Sequence, residues 1–517
     1  MYNSRCVIFA YKINNVDFEK ITIQTGNSEE CISRSLGHNG NGCICNSTYC
    51  DFMEEQGPPE ELTFHWYASD ESGERMRYKK GYMDKLKTNG SIISLVRGKK
   101  HQTILGFGAT ITDSAAINIQ SVSLPTQDNL IHSYFGEKGS RYSFGRVPIG
   151  GTDFSTRKYT LDDVNDDVTL KHFALADEDL YYKIPLLQKS ALLNPNLKLI
   201  AVPWTAPKWM KITESFSGFG FLKPKHYQTF SNYLIKFLDE YSKFGMEFWG
   251  LSIGNDPQNA LNPLSHQMTM AWSPAKAAKF IGQNLGPSIN ESSHNGTRIL
   301  IFDDSLDYSI SWYVRKIMKN KLAEPFVGGT AVHYHYTTIT RKKVLDKIHK
   351  KYPNKYILMT EASELFRKKT CFGCWDQSIN YILEMFAFLQ HSVAGWINLN
   401  PVLNKDGGPN LSKYKYAPSI IVDAKNDQFF KLPLYYIIQH FSRFVPPGSV
   451  RIHTEINFQP LYDAIQVLAF ETPQDETVVV VYNKNRLTYN VGITDENEGV
   501  INFSIKGFSL NTIIFKR

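Results

Sequence analysis

The segment EFWGLSIGNDP, residues 247–257, gives the clearest indication of the fold. In it a short apolar run is followed by a Gly and then by the polar residues Asn255 and Asp256. An apolar run of this length, bounded by Gly and Pro, is typical of a buried β-strand. The segment KYILMTEA, residues 355–362, has the same form and carries Glu361 near its end. Each of these two predicted strands therefore delivers an acidic side chain at its carboxyl end.

Six more apolar runs of similar length lie between residues 103 and 400, and amphipathic helical patterns separate several of them, as over 225–243 and 375–390. Eight strand–helix units in about 300 residues are the number that a (β/α)8 TIM barrel requires. A doubly wound open sheet is the competing fold, but no Gly-rich phosphate loop follows the first strand. The eight predicted strands are 103–110, 143–149, 198–204, 247–253, 298–303, 329–334, 355–360 and 392–398.

Strand patterns recur without helices on both sides of this region. Such a pattern is typical of an antiparallel sandwich, and the N-terminal strands have no other partner, so we expect them to complete it. The predicted fold class is α/β: a TIM barrel with an accessory antiparallel β-sandwich and a small disulfide-stapled β segment. The flanking strand patterns are 62–67, 91–96, 464–470, 477–482, 498–505 and 510–516.

This reading divides the chain into four parts. Residues 1–30 show no periodic pattern, which predicts a disordered leader ahead of the folded parts. The other parts are a small disulfide-stapled β domain at 31–54 with about 401–432, a β-sandwich at 57–97 with about 449–517, and a catalytic (β/α)8 barrel at 98–400 with about 433–448.

The net charge limits the kinds of molecule that the protein is expected to bind. Of 517 residues, 57 are Lys or Arg and 50 are Asp or Glu, so the formal net charge is +7, and the 14 His residues would add to it in an acidic compartment. No zinc-finger, RNA-recognition or helix–turn–helix pattern is present, so we predict no nucleic-acid partner and favour an acidic lipid surface. Ordinary solubility charge is the open alternative. No apolar run approaches the roughly 18 residues of a transmembrane helix.

Four of the seven Cys residues cluster in a Gly- and Asn-rich segment, which indicates either a zinc knuckle or two disulfides. Their spacings do not match Cys-x2-Cys zinc pairs, which favours disulfides. The pair Cys371 and Cys374 has the spacing of a redox motif but lacks thioredoxin-like surroundings, so we interpret these two as loop thiols. The clustered residues are Cys31, Cys43, Cys45 and Cys50.

Six Asn-x-Ser/Thr acceptors occur in the chain. Together with the cysteine cluster they indicate a secretory route. The N-terminus, however, offers only a short apolar run at 6–11, whereas a signal peptide needs a longer one. The predicted glycosylation sites are Asn46, Asn89, Asn290, Asn295, Asn410 and Asn502.

The two strand-terminal acids suggest a chemistry. In a barrel of this kind, catalytic groups sit just past the carboxyl ends of the strands. A pair of such acids suits a retaining glycosidase, in which one carboxyl protonates the leaving oxygen and the other attacks the anomeric carbon. Each of Asp256 and Glu361 could instead be a helix cap or a salt-bridge partner, but the pair in this setting favours catalysis.

At this point the chain resembles the acid β-glucosidases (glucosylceramidases) of glycoside hydrolase family 30. The matching stretches run nearly end to end over residues 31–517, and as a set they are far more specific than any one motif. They are Cys31…Cys43-Ile44-Cys45-Asn46…Tyr49-Cys50-Asp51, Gly106-Phe107-Gly108, Thr112-Asp113, Arg146-Val147-Pro148, Asp153-Phe154-Ser155, Pro203-Trp204-Thr205, Trp249, Asn255, Pro257, Ala331-Val332-His333, Thr360-Glu361-Ala362, Gly395-Trp396, Gly407-Gly408-Pro409-Asn410 and Ile420-Ile421-Val422-Asp423.

The resemblance implies a role for each matching polar residue. Glu361 matches the nucleophile, and Asp256, after the matching Asn255, occupies the acid/base position. It also implies disulfides Cys31–Cys43 and Cys45–Cys50, and it implies neither a metal nor another cofactor. The remaining site positions are Asp153 and Trp204, which hold the glucosyl hydroxyls, Arg146 and His333, which orient and charge-balance the carboxylates, and Asn255, Trp396 and Asn398, counted as substrate contacts.

The chain departs from the family pattern at its most important position, because the family has Glu where Asp256 stands. Losing one methylene withdraws the carboxyl by roughly 1.5 Å, and a misplacement of about 1 Å can cost on the order of 100-fold in rate. Five further positions differ as well: Asn398 replaces an Asp, Leu399 replaces a Trp, Tyr414 replaces an Asn, and Tyr334-His335 replaces Trp-Tyr.

Two functions therefore stand as hypotheses. The first is a retaining β-glucosidase that hydrolyses glucosylceramide to glucose and ceramide in the lysosomal lumen, peripheral to an anionic phospholipid membrane and with a saposin-type activator as partner. The second is a paralogue with little or no turnover that binds glycolipid or another partner. Glu361 and Asn255 favour the first, whereas Asp256, Leu399 and Tyr414 favour the second.

Overall fold

A computed structural model describes residues 30–85, 90–334, 342–366, 371–412, 415–457, 463–495 and 498–516. Its strands belong to three sheets. In chain order they are β1 (Ser33–Gly37), β2 (Gly40–Asn46), β3 (Thr63–Asp70), β4 (Arg77–Tyr82), β5 (Ser91–Thr103), β6 (Gly106–Thr110), β7 (Phe144–Ile149), β8 (Lys198–Pro203), β9 (Phe248–Ser252), β10 (Arg298–Ser305), β11 (Val327–Tyr334), β12 (Tyr356–Ala362), β13 (Val393–Asn398), β14 (Val402–Asn404), β15 (Ile420–Asp423), β16 (Gln428–Lys431), β17 (Val450–Asn457), β18 (Ile465–Glu471), β19 (Glu476–Asn483), β20 (Tyr489–Asp495), β21 (Glu498–Ile505) and β22 (Ser509–Lys516).

All but the last of the described α-helices lie between strands β6 and β13 along the chain, and they pack through their apolar faces. In α4, for example, residues at helical spacing such as Phe230, Leu234, Phe237 and Tyr241 are fully buried. The α-helices are α1 (Asp113–Gln120), α2 (Leu124–Phe135), α3 (Ile184–Leu193), α4 (Tyr227–Ser242), α5 (Pro274–Phe280), α6 (Gly286–Glu291), α7 (Ile310–Met318), α8 (Lys343–Lys351), α9 (Asp376–Gln390) and α10 (Pro433–Ser442).

Strands β6 to β13 close into an eight-stranded parallel barrel, so the predicted barrel is confirmed. Every predicted barrel strand is present, with ends shifted by no more than three residues. Because both faces of such strands are covered, they read as unbroken apolar runs, and β7 and β13 are buried at every position. An apolar plug fills the lumen below the site, formed by Phe144, Ile200, Leu300, Ala331, Leu358 and Ile397.

A small sheet, in the order β1-β2-β16-β15-β14, joins the N-terminal hairpin to the segment that follows the barrel. The predicted disulfides Cys31–Cys43 and Cys45–Cys50 are both present here. The structure also joins Cys371 to Cys374, so the interpretation of these two as thiols was wrong. A turn brings their Cα atoms to 5.7 Å, which lies within the range that a disulfide spans.

The third sheet has nine strands, in the order β21-β20-β5-β17-β18-β19-β22-β3-β4, and it confirms that the N-terminal and C-terminal strands share one β-domain. The sheet is not antiparallel throughout, because β20 pairs with β5 in parallel. These two strands are distant in the chain, so no hairpin fixes their direction. Strands β4, β17 and β20 had no counterpart in the sequence-based list, because their polar residues interrupt the apolar pattern.

The proposed domain boundaries stay predictions, and the predicted leader falls almost entirely outside the described residues. Within the described residues, no helix combines the length and the apolar character that crossing a bilayer requires.

Candidate active site

Five charged side chains converge at the carboxyl ends of the barrel strands. Four of them come from the neighbouring strands β9 to β12 and one from β7, and in a barrel all parallel strands end at one rim. Each of the five is at least nine-tenths buried. They are Arg146 on β7, Asp256 just after β9, Asp303 on β10, His333 on β11 and Glu361 on β12.

Arg146 organises one half of this cluster. Its Nη1 donates to Oε2 of Glu361 at 2.7 Å, and its Nη2 donates to Oδ1 of Asn255 at 2.5 Å and to Oδ2 of Asp303 at 3.2 Å. Although burial opposes the charged form, the carboxylates of Asp303 and Glu361 raise the pKa of Arg146. The guanidinium therefore stays charged and favours the ionised form of Glu361, as a nucleophile requires.

His333 organises the other half. Its Nδ1 lies 2.8 Å from Oδ1 of Asp256, and its Nε2 lies 2.9 Å from Oδ1 of Asp303. Burial opposes protonation, but the carboxylates of Asp256 and Glu361 raise the pKa of His333 to about 10. Both ring nitrogens therefore donate, and the ring is an imidazolium over the physiological range. In turn, Arg146 and His333 overcome the effect of burial and hold the pKa of Asp303 well below its usual range.

Asp256 and Glu361 face each other across the rim. An oxygen of each carboxyl and a ring nitrogen of His333 all lie within 4.8 Å of one another. These three side chains have the spacing of a metal site, but a metal ligand must be a neutral imidazole, and His333 uses both nitrogens as donors. The arrangement is therefore that of an acid pair held by a cation.

The backbone at Asp256 is unusual, because its φ is 43°, in the left-handed region. Its N–H donates to the carbonyl oxygen of Asp303 at 3.0 Å, and its own carbonyl oxygen accepts from Oγ1 of Thr269 at 3.1 Å. Asp tolerates this conformation better than most residues do. The tight turn after β9 thus fixes the direction in which the Asp256 carboxyl points.

Asp153 lies beside this pair, on the loop after β7. Its Oδ2 accepts from Nε2 of Gln267 at 2.9 Å, and Oε1 of Gln267 accepts in turn from Nδ2 of Asn259 at 3.2 Å. Burial, followed by the charges of Glu361 and Asp256, raises the pKa of Asp153 to about 7. The effect of both charges shows that Asp153 belongs to the same electrostatic site.

Trp204 is buried at the end of β8, with the guanidinium carbon of Arg146 lying 5.0 Å from its ring centre. Behind it, Nζ of Lys211 donates to Oγ1 of Thr205 at 2.9 Å and to the carbonyl of Thr269 at 2.7 Å. Burial lowers the pKa of Lys211 to about 7. The loops after β8 and β9 are thereby tied together around the site.

Trp396 and Asn398 do not join the others, so their role as substrate contacts stays a prediction. Side chains alternate along a strand, and Ile397 between them faces the lumen. Nε1 of Trp396 donates to the hydroxyl of Tyr381 on α9 at 2.7 Å, and Nδ2 of Asn398 donates to Oγ of Ser419 at 3.0 Å. Both side chains therefore pack outside the barrel.

Two of the positions that depart from the family pattern, Leu399 and Tyr334, lie within the described residues. Leu399 packs with Phe154, Leu403 and Tyr416 in a small apolar cluster next to Asp153. On the neighbouring side, the hydroxyl of Tyr334 donates to Oε2 of Glu364 at 2.7 Å. The wall is thus apolar on the side of Leu399. Two further departures, Tyr414 and His335, lie outside the described residues.

Two residues of the site were missed by the sequence reasoning. Asp303 ends a predicted strand, RILIFD, so the rule that found Asp256 and Glu361 could have found it too. Gln267 lies in a loop without periodicity, and no sequence signal connects it to Asp153.

Comparisons with known proteins agree with this geometry. The description "Glycosyl hydrolase family 30 TIM-barrel domain" matches residues 104–445, and "Glycosyl hydrolase family 30 beta sandwich domain" matches residues 448–513. Lysosomal acid glucosylceramidase of Mus musculus is 33% identical over 500 residues, which cover 95% of this chain and 96% of that protein. Putative glucosylceramidase 3 of Caenorhabditis elegans is 34% identical over 486 residues, covering 92% of each chain.

Solved structures share the fold. SrfJ from Salmonella typhimurium superposes with a TM-score of 0.82 at 23% identity, over 88% of this chain and 100% of that one. An endo-beta1,6-glucanase superposes with a TM-score of 0.77 at 26% identity, over 89% of this chain and 100% of that one.

Proposed function

Because the chain belongs to glycosyl hydrolase family 30, we propose that it is a retaining β-glucosidase with Glu361 as nucleophile and Asp256 as general acid and base. The observation that carries the proposal is the spacing of these two carboxyls. With an oxygen of each within 4.8 Å of the other, the carboxyl carbons are at most about 7.3 Å apart once two C–O bonds are added. That limit includes the separation of about 5–5.5 Å used for retention and leaves out most of the inverting range.

In the first step, the Glu361 carboxylate attacks the anomeric carbon while Asp256 donates its proton to the leaving oxygen, which gives a covalent glucosyl-enzyme and a free alcohol. Arg146, at 2.7 Å, keeps Glu361 ionised before the attack. The proton reaches Asp256 from Nδ1 of the His333 imidazolium, 2.8 Å away, so this step ends with an Asp256 carboxylate and a neutral His333 ring. In the second step, Asp256 removes a proton from water and returns it to His333, and the resulting hydroxide releases glucose and regenerates Glu361.

Three residues hold the sugar in this mechanism. Asp153 accepts from or donates to the glucosyl hydroxyls, and Trp204 supports an apolar face of the ring. Asn255, whose amide oxygen is held by Arg146, turns its amide nitrogen to the substrate. We propose glucosylceramide as the substrate, with glucose and ceramide as products in sphingolipid catabolism. The relatives named as glucosylceramidases support this choice.

A lysosomal setting follows from the same relatives, one of which is named as lysosomal. We propose that the protein works in the lysosomal lumen at an anionic phospholipid surface, with a saposin-type activator. Of the predicted glycosylation sites, Asn290 and Asn295 are exposed, and Asn89 lies outside the described residues. Asn46, Asn410 and Asn502 are partly buried. Glycosylation is therefore expected first at the two exposed sites.

The alternative of a binding protein without turnover is not favoured, because the acid pair and its Arg and His partners form a connected site. The test is covalent trapping with a 2-fluoro-glucosyl fluoride, followed by peptide mass spectrometry. We expect one label per chain, on Glu361, and none on the Glu361→Gln variant. Glu364→Gln is the matched control, since Glu364 is an equally buried acid three residues on, and it should still be labelled at Glu361. A wild-type protein that takes up no label would contradict the proposal.

A further inference from the structure

A second cavity of about 720 Å³ lies at the opposite end of the barrel from the acid pair. Ser143 and Lys198, at the amino ends of β7 and β8, form its floor, and the nine-stranded sheet contributes His65, Tyr67 and Ile514. Volumes of about 300–1,000 Å³ are typical of small-molecule sites. No substrate that reaches Glu361 also reaches this cavity, because the apolar plug of the barrel lies between them.

Two guanidinium groups meet in this cavity. Nε of Arg141 donates to the carbonyl oxygen of Glu137 at 2.9 Å, and Nη1 of Arg443 donates to the same oxygen. Nη1 of Arg443 also donates to the carbonyl of Gly139 at 2.9 Å. The positive charges of Arg141 and Arg443 thus lie close together and share one neutral acceptor, the carbonyl oxygen of Glu137. Such an arrangement is unfavourable unless an anion offsets it.

The acidic side chains near the cavity do not neutralise the two guanidinium charges. Arg443 is 5% exposed, and among the described residues no carboxylate lies within ion-pair distance of it. Burial, followed by the charge of Arg141, lowers the pKa of Arg443 to about 10. Arg141 pairs with Glu55 at 3.2 Å, but 61% of the Glu55 side chain is exposed, so that pair is weak. The other lining acid is Glu476, whose pKa is raised by burial.

The hydrogen-bond donors that remain unused in the cavity, and its apolar wall, suit an organic phosphate. The hydrogen bonds of the described residues engage only Nη1 of Arg443, which leaves Nε and Nη2 for a ligand. Lys198, which has no carboxylate partner in the described part of the chain, adds a third cation. A carboxylate has two oxygens for these donors, whereas a phosphate group has three and a larger charge. Tyr67, Phe444 and Pro446 supply an apolar wall for an organic body.

We propose that this cavity binds an anion that carries a phosphate group, held between the guanidinium groups of Arg443 and Arg141. The site is separate from the catalytic one, so the proposal does not depend on the proposed glucosidase activity. The phosphate could belong to a soluble phosphate ester or to a lipid headgroup, and the two sources are distinguished by experiment.

The test measures binding of glycerol phosphate by titration calorimetry at constant ionic strength, and of vesicles with and without phosphatidic acid by sedimentation. We expect Arg443→Gln and Arg141→Gln to weaken binding about 10- to 100-fold, as for the loss of a charge-assisted hydrogen bond. Arg451→Gln is the matched control, because Arg451 is equally buried, with its pKa lowered to about 10, but lies outside the cavity. It should bind as wild type does.

The results with the two probes distinguish a soluble phosphate ester from a lipid headgroup. Binding of glycerol phosphate that is lost in both cavity variants supports a soluble ligand, and binding of phosphatidic acid vesicles alone, lost in the same way, supports a headgroup. If Arg443→Gln fails to fold, Arg141→Gln decides, since 39% of the Arg141 side chain is exposed and its loss should be tolerated. No binding of either probe by wild type, or equal binding by both cavity variants, overturns the proposal.

Discussion

The ring of His333 donates from Nδ1 to Oδ1 of Asp256 at 2.8 Å, and its Nε2 donates to Asp303 at 2.9 Å. One imidazolium on β11 therefore links the loop after β9, which carries Asp256, to strand β10, which carries Asp303. The proposed acid/base residue thus faces a cation instead of a neutral donor. This pairing links the protonation of the site to the stability of the fold, and it can be measured without substrate.

We expect His333→Gln to destabilise the protein most at acidic pH. The folded pKa of about 10 exceeds the unfolded value of about 6.5. The stabilisation is therefore fully present below about pH 6.5 and is lost as the pH rises towards 10. Leaving Asp303 and Asp256 without their cation should cost about 3–5 kcal/mol at pH 5. Urea unfolding of both proteins from pH 5 to pH 9 measures the difference.

His440→Gln is the matched control, because His440 is also a fully buried histidine. Its ring joins Ser69 and Thr512, and burial lowers its pKa to about 3. The unfolded chain takes up a proton below about pH 6.5 and the folded chain does not, so the wild type loses this contribution as the pH falls. The two variants should show opposite slopes, and equal slopes would contradict the charged state assigned to His333.

Asp153→Asn should stabilise the protein near neutral pH while it reduces activity. The folded pKa of about 7 lies above the unfolded value of about 3.8, so wild-type stability falls as the pH rises from about 4 to 7. The variant lacks this penalty and should be more stable by about 2–4 kcal/mol at pH 7.5, with little difference at pH 4. The glucoside KM should rise, because the group that binds the sugar hydroxyls has changed.

Asp162→Asn separates the two effects. Burial and Asp167 raise the pKa of Asp162 to about 6, but its backbone carbonyl contacts Trp209 and the residue is not part of the acid pair. A smaller gain in stability over a narrower pH range is expected, without a change in KM. A loss of activity equal to that of Asp153→Asn would mean that Asp153 has no specific role.

Much of the fold could be predicted because buried parallel strands read as short apolar runs. The barrel strands ending at Asp256 and Glu361 are examples, and all eight were found in this way. Strands rich in polar residues are harder, since β17, with the sequence VRIHTEIN, alternates its few apolar residues with charged and polar ones and is broken by register shifts around Ile452. The parallel pairing of β20 with β5 depends on strands more than 380 residues apart, which no local pattern encodes.

The site was predictable only to the extent that its residues end strands. Strand ends brought Arg146, His333 and Glu361 together as expected from the resemblance. A matching motif does not show which face of a strand a side chain occupies, and Trp396 in fact contacts the hydroxyl of Tyr381 on α9 instead of joining the acid pair. The contact between Gln267 and Asp153 joins two loops, and only the folded chain reveals it.

Binding to vesicles that contain phosphatidylserine should strengthen from pH 7 to pH 5 and weaken with salt, because protonated His residues add to a net charge of +7. The increase should be smaller than 14 titrating His residues would give. Sedimentation with and without added salt measures it, and binding that ignores both variables would mean that the charge is ordinary surface charge. Within the described residues, the His residues whose pKa is lowered are His65, His101, His132, His226, His440 and His453.

Asp256→Glu tests the reading of the acid/base position. A general acid must approach the leaving oxygen to about 2.6–3.2 Å, and the turn at Asp256 is held by its bonds to Asp303 and Thr269. A longer side chain on this fixed backbone should reach further and raise turnover on alkyl glucosides. The gain should be smaller on aryl glucosides in the glycosylation step, because their leaving group needs little protonation. The φ of 43° tolerates Asp better than Glu, so stability should fall by about 1 kcal/mol.

Two explanations of Asp at position 256 can be distinguished by kinetics: a catalytic defect or an adaptation to this backbone. The proteins to compare are wild type, Asp256→Glu and Glu361→Gln, each on one alkyl and one aryl β-glucoside. Glu361→Gln should abolish both activities, since no nucleophile remains. An inactive wild type that Asp256→Glu fails to rescue would make the apolar wall at Leu399 the larger defect. A fully active wild type, with a slower Asp256→Glu, would mean that the left-handed turn already carries Asp256 to the leaving oxygen. The Asp would then be an adaptation to this backbone, and the methylene lost relative to the family would be compensated by the turn itself.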